Sequence, residues 1–153
     1  IISMAFAEWD EQKYATGVDR VDQQHKRLFG LINDLYDAMR GDAEVQIESV
    51  LTDLEEYTYH HFDSEQEFMN ECGFANDCSE CFAAHQEAHE TFEEEVSKLR
   101  ELHESGDVTV KMKTLRFLRE WLSEHVGDVD QQIGTYLEEG SENLEPKSMS
   151  TSR

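Results

Sequence analysis

Apolar side chains recur at helical spacing in four separate segments of this 153-residue chain, and this pattern most constrains its fold. The segments run from His25 to Met39, Ile47 to Cys72, Phe82 to Leu99 and Met112 to Val129. Strand-like alternation is absent, and the one proline, Pro146, lies near the C-terminus. Four amphipathic helices joined by short connections predict an all-α, up-down-up-down four-helix bundle.

Capping and turn residues delimit the predicted helices. Asp22 or Asp19 is the candidate N-cap of the first helix, and Gly41 ends it. The remaining boundary signals are Gly73 after the second helix, Ser79 as a candidate cap of the third, Gly106 after the third, and Gly140 after the fourth. The predicted connections are therefore short, as antiparallel neighbours require.

Two segments flank the predicted helices. Residues 1–20 form an N-terminal arm whose aromatic side chains Phe6, Trp9 and Tyr14 are expected to pack on the bundle. Residues 140–153 are polar and predict a short, flexible, disordered tail, either a ragged end or the start of a linker. The bundle domain is thus expected to span residues 1–139.

The net charge and the number of cysteines limit the possible partners and the cellular compartment of the protein. A net charge of −22 argues against nucleic acid and anionic membrane surfaces as partners, because both would repel the chain. No apolar run approaches the ~20 residues of a membrane span, and the start, Ile1 to Met4, is too short for a signal peptide. Three cysteines, an odd number, suit a reducing compartment, so we predict a cytoplasmic protein.

Five histidines and two carboxylates fall on or beside the apolar stripes, where burial is costly unless something binds them. They are His25, His61, Glu65, His85, His89, His125 and Asp130. In an antiparallel bundle, the starts of the first and third helices share one end with the ends of the second and fourth. All seven side chains are therefore predicted to converge there.

The spacing of these residues supports one cluster. His61 and Glu65 are four residues apart and therefore share a helix face. The same spacing places His85 and His89 on one face of the third helix. His125 and Asp130 are five apart, which a regular helix would splay by about 140°. Gly127 lies between them, so we predict a bulge that turns Asp130 inward.

The two remaining histidines are predicted to lie outside the cluster. His60 neighbours the stripe position and points away from it. His103 lies 18 residues after His85 on the third helix, which is about 27 Å along the helix axis.

The donor set suits a pair of metal ions. Five imidazoles, two bridging carboxylates and one bridging oxide or hydroxide would fill all but one position of two octahedral ions. A small ligand can bind at the open position. Nitrogen-rich ligation with carboxylate bridges suits iron and can also hold manganese or zinc. Thiolates are absent from the set, which argues against a structural zinc site.

From Trp9 to Leu137 the chain resembles the hemerythrins, in particular the single-domain hemerythrins of bacteria and archaea. The resemblance rests on Trp9-Asp10, Gly17-Val18, Asp22-Gln23-Gln24-His25-Lys26, His61-Phe62 with Glu65, His85-Gln86-Glu87-Ala88-His89, and Trp121-Leu122 leading to His125 and Asp130. It implies two iron ions bridged by oxide or hydroxide and by the two carboxylates. It also implies that His85, His89 and His125 hold the first iron, and that His25 and His61 hold the second, which has the open position.

The resemblance further implies reversible O₂ binding for storage, transport or delivery to an oxygen-using enzyme. The dry apolar pocket expected around the ligand is assigned to Leu28, Ile32, Phe62, Trp121 and Leu122. Two alternatives remain. One is an O₂- or redox-sensing domain that works with a signalling module. The other is a di-iron enzyme that reduces peroxide or nitric oxide, or a ferroxidase, although no extra acid or base is evident beside the open position.

The chain departs from the family pattern between Glu65 and His85, where it is a few residues longer. The insertion contains Gly73, Asn76, Asp77, Cys78 and Cys81. We expect its cysteines to be ordinary free thiols, with a redox pair, an accessory metal site, or a reversible disulfide involving nearby Cys72 as alternatives.

Overall fold

The computed structural model describes residues 5–41, 44–105, 108–142, 144–147 and 149, and all regular structure within these residues is helical. The elements are α1 (Glu11–Tyr14), α2 (Asp19–Arg40), α3 (Glu44–Glu71), α4 (Phe74–Asp77), α5 (Ser79–Ser105), α6 (Val108–Glu124), a π-helical turn (His125–Val129) and α7 (Gln131–Glu139). No helix in this part of the chain is both long and apolar enough to cross a membrane.

Helices α2, α3, α5 and α6 form the bundle. Contacts join α2 to α3, α3 to α5, α5 to α6, and α6 back to α2, so the four helices close a ring around one core. The inward stripes of leucine, isoleucine, valine and phenylalanine fill that core, with Leu28, Leu51, Phe92 and Leu118 fully buried. The all-α up-down-up-down bundle predicted from the apolar spacing is confirmed.

The start of α2 differs from the expectation. Its N-cap is Val18, which makes no side-chain cap hydrogen bond, rather than Asp19 or Asp22. The carboxylate of Asp22 instead accepts hydrogen bonds from the backbone N–H and the hydroxyl of Thr16, at 2.8 and 2.7 Å. Asp22 therefore fixes the arm against the first turn of α2. The predicted end at Gly41 is confirmed, since Gly41 is the C-cap.

The other boundaries agree with the sequence except in one detail. Gly73 follows the end of α3 with a left-handed φ of 95°, which glycine adopts without strain. Ser79 is the first residue of α5 rather than its cap. Gly106 and the segment from Ile1 to Met4 lie outside the described residues.

The N-terminal arm packs on the bundle through its aromatic side chains, as expected. The ring of Phe6 stacks on Tyr36 with centroids 4.1 Å apart. The rings of Trp9 and Tyr14 both pack against the ring of Phe29, with centroid distances of 5.5 and 5.0 Å. The arm thus covers the outer side of α2.

The described part of the tail lacks regular secondary structure but contacts the bundle. Nε2 of Gln132 donates to the carbonyl oxygen of Glu145 at 2.6 Å. Nζ of Lys147 lies 3.0 Å from Oδ1 of Asp128. The division into a domain at residues 1–139 and a flexible tail at 140–153 stays a prediction.

Candidate metal centre

The junction between α6 and α7 is a π-helical turn. It spans His125–Val129, and the backbone N–H of Asp130 donates to the carbonyl oxygen of His125 at 2.8 Å. This bond closes over five residues instead of four, so one extra residue enters the turn. Both side chains consequently point inward and are fully buried. The bulge predicted from their five-residue spacing is confirmed.

All seven residues predicted as ligands meet at one end of the bundle, and each is at most 3% exposed. They come from three long helices and the π turn that follows α6: His25 on α2, His61 and Glu65 on α3, His85 and His89 on α5, His125 in the π turn and Asp130 directly after it. His60 is exposed, and His103 lies far along α5 near Glu48, with Nε2 3.5 Å from Oε2 of that glutamate. Both therefore lie outside the cluster, as expected.

The two oxygens of Glu65 face different histidines. Oε1 lies 2.6 Å from Nε2 of His85 and 3.1 Å from Nε2 of His89. Nε2 of His125 is more distant from the same oxygen, at 4.0 Å. Oε2 lies 3.3 Å from Nε2 of His25 and 3.1 Å from Nε2 of His61. Glu65 thus stands between a group of three imidazoles and a group of two.

Asp130 divides the histidines in the same way. Its Oδ1 lies 2.8 Å from Nε2 of His85 and 3.2 Å from Nε2 of His125. Its Oδ2 lies 2.9 Å from Nε2 of His25. Each carboxylate therefore offers one oxygen to each histidine group, which is the arrangement that two bridging carboxylates require.

The donor atoms fit two cations. Glu65, His85, His89, His125 and Asp130 form one set whose ligand atoms lie within 4.8 Å of one another. His25 and His61 form a second such set with the same two carboxylates. Nε2 of His125 and both oxygens of Asp130 are buried and close to neighbouring donor atoms, but none of these contacts among the described residues has hydrogen-bond geometry. Buried polar atoms are normally paired, so these atoms are suited to metal ligation.

Without metal, the protons in this cluster are shared unequally. Burial opposes the charged form of His25 and His85, but the charges and hydrogen bonds of Asp130 and Glu65 together outweigh it and raise their pKa values to about 9 and about 10. Burial prevails at His89 and lowers its pKa to about 3. Burial also disfavours the charged carboxylates, yet the surrounding imidazoles hold the pKa of Glu65 and of Asp130 well below the usual range. At neutral pH two protonated imidazoles therefore balance the two carboxylates, and metal binding must displace those protons.

Comparison with known proteins agrees with this geometry. The family model for the hemerythrin HHE cation binding domain matches residues 16–137. The chain belongs to the hemerythrin family. It is 32% identical to a bacteriohemerythrin of Methylococcus capsulatus over 134 residues, covering 88% of this chain and 98% of the relative. It is 34% identical to a bacteriohemerythrin of Pseudomonas aeruginosa over 128 residues, covering 83% of this chain and 78% of the relative.

The fold of this hemerythrin is also similar to solved structures of the family. A crystal structure of wild-type hemerythrin superimposes with a TM-score of 0.73 and is 32% identical in sequence. The match covers 85% of this chain and 96% of that one. The resemblance inferred from the sequence motifs is thereby confirmed.

Sequence reasoning missed one polar residue of the hemerythrin site. Oε1 of Gln24 accepts a hydrogen bond from Nδ1 of His61 at 2.8 Å, while Nε2 of Gln24 donates to Oγ of Ser64 at 3.1 Å. Burial lowers the pKa of His61, which keeps the ring neutral. The bond places the ring proton on Nδ1 and leaves Nε2 free to act as a donor to metal. Its only signal in the sequence was its place next to His25.

The five residues expected to line the O₂ pocket are all buried in the core: Leu28, Ile32, Phe62, Trp121 and Leu122. The ring of Phe62 stacks on His89 with centroids 3.8 Å apart and an interplanar angle of 5°. Trp121 stacks on His125 at 4.4 Å. These two aromatic residues thus wall the three-histidine side, whereas the pocket was expected at the two-histidine side. Phe92, which contacts Phe62 at 5.8 Å, was not foreseen.

The insertion between α3 and α5 forms the one-turn helix α4, and its cysteines are not free. Cys78 and Cys81 form a disulfide, which corrects the expectation of ordinary thiols, while Cys72 is unpaired. The pairing is favoured because the turn between α4 and α5 brings two cysteines only three positions apart to the same side.

A small apolar cluster closes the bundle just beyond the candidate metal ligands. We call its members Met69, Phe74, Cys81 and Ile133 the end cluster. Met69 lies one helical turn after Glu65, Cys81 one turn before His85, and Ile133 three residues after Asp130. The end cluster therefore separates the candidate metal centre from solvent at this end.

Proposed function

We propose that this hemerythrin binds O₂ reversibly at a non-haem di-iron centre. One observation carries the proposal: both buried carboxylates are split between the same two histidine groups, with one oxygen toward each group. A single-metal site has no use for this symmetry, whereas two bridged ions require it.

The donor set names the residues that would hold each ion. His85, His89 and His125 would ligate one iron, and His25 and His61 the other. Glu65 and Asp130 would bridge both. When bound, the two irons, joined by an oxide or hydroxide, supply the exchangeable electrons that reversible O₂ binding needs. The ion held by His25 and His61 would have one histidine fewer than the other, which would leave room for the gas.

The protein itself sets the charge of the ligand set, orients the ligand side chains and excludes water from the site. Five neutral imidazoles and two carboxylates offset only part of the charge of two cations, which disfavours high oxidation states of iron and favours release of O₂ over further oxidation. Gln24 holds the His61 ring in the tautomer that presents Nε2 inward. The rings of Phe62 and Trp121 exclude water from one side. Leu28 and Ile32, fully buried on the helix of His25, exclude it from the core.

We assign the protein a carrier role: storage, transport or delivery of O₂ to an oxygen-using enzyme in the cytoplasm. Family membership and the donor set support O₂ binding more directly than they support this role. A sensor that works with a signalling module and a peroxide- or nitric-oxide-reducing enzyme share the same site. The experiment below separates them.

The test is aerobic purification of the full chain, metal analysis, and visible spectra during cycles of reduction, deoxygenation and oxygenation. We expect two irons per chain and a spectrum that appears with O₂ and disappears under vacuum over several cycles. Zinc or manganese in place of iron, or no response to O₂, would overturn the proposal. Steady consumption of peroxide or nitric oxide far above the autoxidation rate would replace the carrier with an enzyme. A change in arm conformation on oxygenation, measured by Trp9 fluorescence, would favour the sensor.

A further inference from the structure

A second group of reactive side chains lies outside the O₂ site, in the connection between α3 and α5. The disulfide joins Cys78, which follows α4, to Cys81, which lies in the first turn of α5. Neither sulfur is among the donor atoms of the metal centre. The proposed O₂ chemistry therefore makes no use of this pair.

We propose that the Cys78–Cys81 disulfide is a thiol–disulfide exchange site, at which Cys78 is the exchanging sulfur and a small neutral or cationic thiol is the reaction partner. Three features of the described residues support this: the unequal burial of the two cysteines, the position of Cys78 at the start of a long helix, and the charges around it.

The two sulfurs differ in access. Cys81 is 2% exposed and packs in the end cluster against Met69, Phe74 and Ile133. Cys78 is only partly buried and lies at the edge of that cluster. An attacking thiolate must reach a sulfur in line with the S–S bond, and access decides which sulfur is attacked. The exchange is therefore directed to Cys78, with Cys81 as the buried resolving partner.

The start of α5 stabilises negative charge on Cys78. The backbone N–H of Cys81 donates to Sγ of Cys78 at 3.2 Å. Helix α5 runs for 27 residues from Ser79, so its N-terminal partial positive charge faces the same sulfur. A nearby N–H donor and a helix N-terminus both stabilise a thiolate at this sulfur. Access therefore directs the first attack to Cys78, and the start of α5 favours its release as a thiolate in the second step.

The acidic residues around the Cys78–Cys81 disulfide determine which charge the reacting small thiol can carry. Exposed Asp77 directly precedes Cys78, and exposed Glu80 directly precedes Cys81. The carboxylate of Asp77 is held in place by the hydroxyl of Tyr136, which donates to its Oδ2 at 2.6 Å. With the net charge of −22, these groups repel an anionic thiol and favour a neutral or cationic one.

The exchange proceeds in two balanced steps. A small thiolate attacks Sγ of Cys78, the S–S bond to Cys81 breaks, and Cys81 leaves as a thiolate that takes up a proton. A second small thiolate then attacks the small sulfur of the mixed disulfide and releases Cys78 as a thiolate. Two electrons pass from two small thiols to the protein disulfide, which yields one small disulfide and the protein dithiol.

The first test uses the unmodified full chain. The folded protein is treated with dithiothreitol, and the thiols are then labelled briefly with iodoacetamide and located by peptide mass spectrometry. We expect reduction without unfolding, followed by labelling of Cys78 at least tenfold faster than Cys81. A disulfide that resists reduction until the chain is denatured would overturn the proposal. Equal labelling of the two cysteines would also overturn it.

The second test uses matched double variants with Cys72 removed, Cys72→Ser/Cys81→Ser and Cys72→Ser/Cys78→Ser, each checked for helical content by circular dichroism. Cystamine should form a mixed disulfide with Cys78 in the first variant at least tenfold faster than with Cys81 in the second. Anionic 3,3′-dithiodipropionate should react with Cys78 more slowly than cystamine, with the gap narrowing at high salt. Equal rates in the two variants, or no preference for cystamine, would contradict the assignment.

Discussion

Oε1 of Gln24 lies 2.8 Å from Nδ1 of His61 and accepts its proton, so a residue of α2 orients a metal-facing imidazole of α3. Nδ1 of His25, His85, His89 and His125 has no such partner among the residues that the structure describes. The His61 ring is therefore held through Nδ1 as well as Nε2, whereas His25, His85 and His89 are hydrogen-bonded within the described part of the chain only through Nε2.

Gln24→Met removes the acceptor while keeping the volume of the side chain. We expect metal affinity to fall by roughly 10- to 100-fold, because partners of this kind hold the tautomer and the ring angle. The measurement is competition with a chelator. Gln23→Met is the matched control, since Gln23 is the neighbouring glutamine and is exposed. If the two variants lose metal equally, Gln24 has no special role.

His61→Ala removes a donor from the two-histidine group and should lower iron loading from two ions per chain to at most one. The O₂-dependent spectrum should vanish with it. His60→Ala is the control, because His60 adjoins His61 but is exposed. Iron content per chain, measured by emission spectrometry, checks both. An unchanged spectrum in His61→Ala would show that the ligand assignment is wrong.

The metal-free protein should lose stability as pH rises above about 6.5. The pKa of His25 is about 9 and that of His85 about 10 in the folded chain, against 6.5 when unfolded. Between these values the folded chain binds more protons, so the free energy of unfolding falls with rising pH, by on the order of 1 kcal/mol per pH unit for each histidine. Below pH 6.5 this contribution is fully present.

The titration of His89 changes the stability of the metal-free chain in the opposite direction. Its pKa of about 3 lies below the unfolded value, so the unfolded chain binds more protons between pH 3 and 6.5 and stability falls as pH falls. The metal-free chain should therefore be most stable near pH 6.5. Urea unfolding of chelator-treated protein at pH 5, 6.5, 8 and 9.5 measures the free energy of unfolding. In His85→Gln this free energy should fall less steeply between pH 6.5 and 9.5. A curve that rises from pH 6.5 to 9.5 would contradict the expected sign.

Leu28→Ala should speed oxidation of the reduced protein to the ferric form by severalfold. Leu28 is fully buried one turn after His25, and the cavity left by the change admits water toward the centre. Leu35→Ala is the matched control, being equally buried on the same helix but two turns further away. Both should lose about 2–5 kcal/mol of stability, yet only Leu28→Ala should autoxidise faster. Equal rates would argue against the dry-pocket account.

Gly134→Ala should destabilise the fold by several kcal/mol. A Cβ at Gly134 would lie 2.2 Å from the carbonyl oxygen of Thr16, so the arm must move away from α7. Gly30→Ala offers a contrast, because a Cβ there meets nothing within 4 Å, and the change should stabilise α2 by about 0.5–1 kcal/mol. Thermal unfolding of both variants tests the pair. A Gly134→Ala protein as stable as the parent would show that the arm does not bind there.

The sequence was sufficient for the fold and for the convergence of seven buried side chains at one end of the bundle. Helical spacing places each donor on an inward face, and the antiparallel order of the helices brings those faces to one end. Even the π turn was predictable, because His125 and Asp130 can face the same way only if the helix between them is irregular.

What spacing could not supply is the orientation of individual side chains. The split of the Glu65 oxygens depends on its rotamer, and the bond from His61 to Gln24 depends on how α2 and α3 pack. Asp22 was predicted as a helix cap, but the loop at Thr16 offered nearer donors. The pairing of Cys78 and Cys81 depends on the turn between α4 and α5, which no periodic pattern reports.

The π turn ties the metal centre to an exact count of backbone residues. Inserting one more residue beside Gly127 would put a second extra residue between His125 and Asp130 and rotate everything that follows by about 100°. Asp130 would leave the bridge position, Ile133 would leave the end cluster, and Gly134 would no longer face the arm. Three separate contacts therefore share one register, and an insertion at this junction would disturb them together, whereas most substitutions would disturb only one.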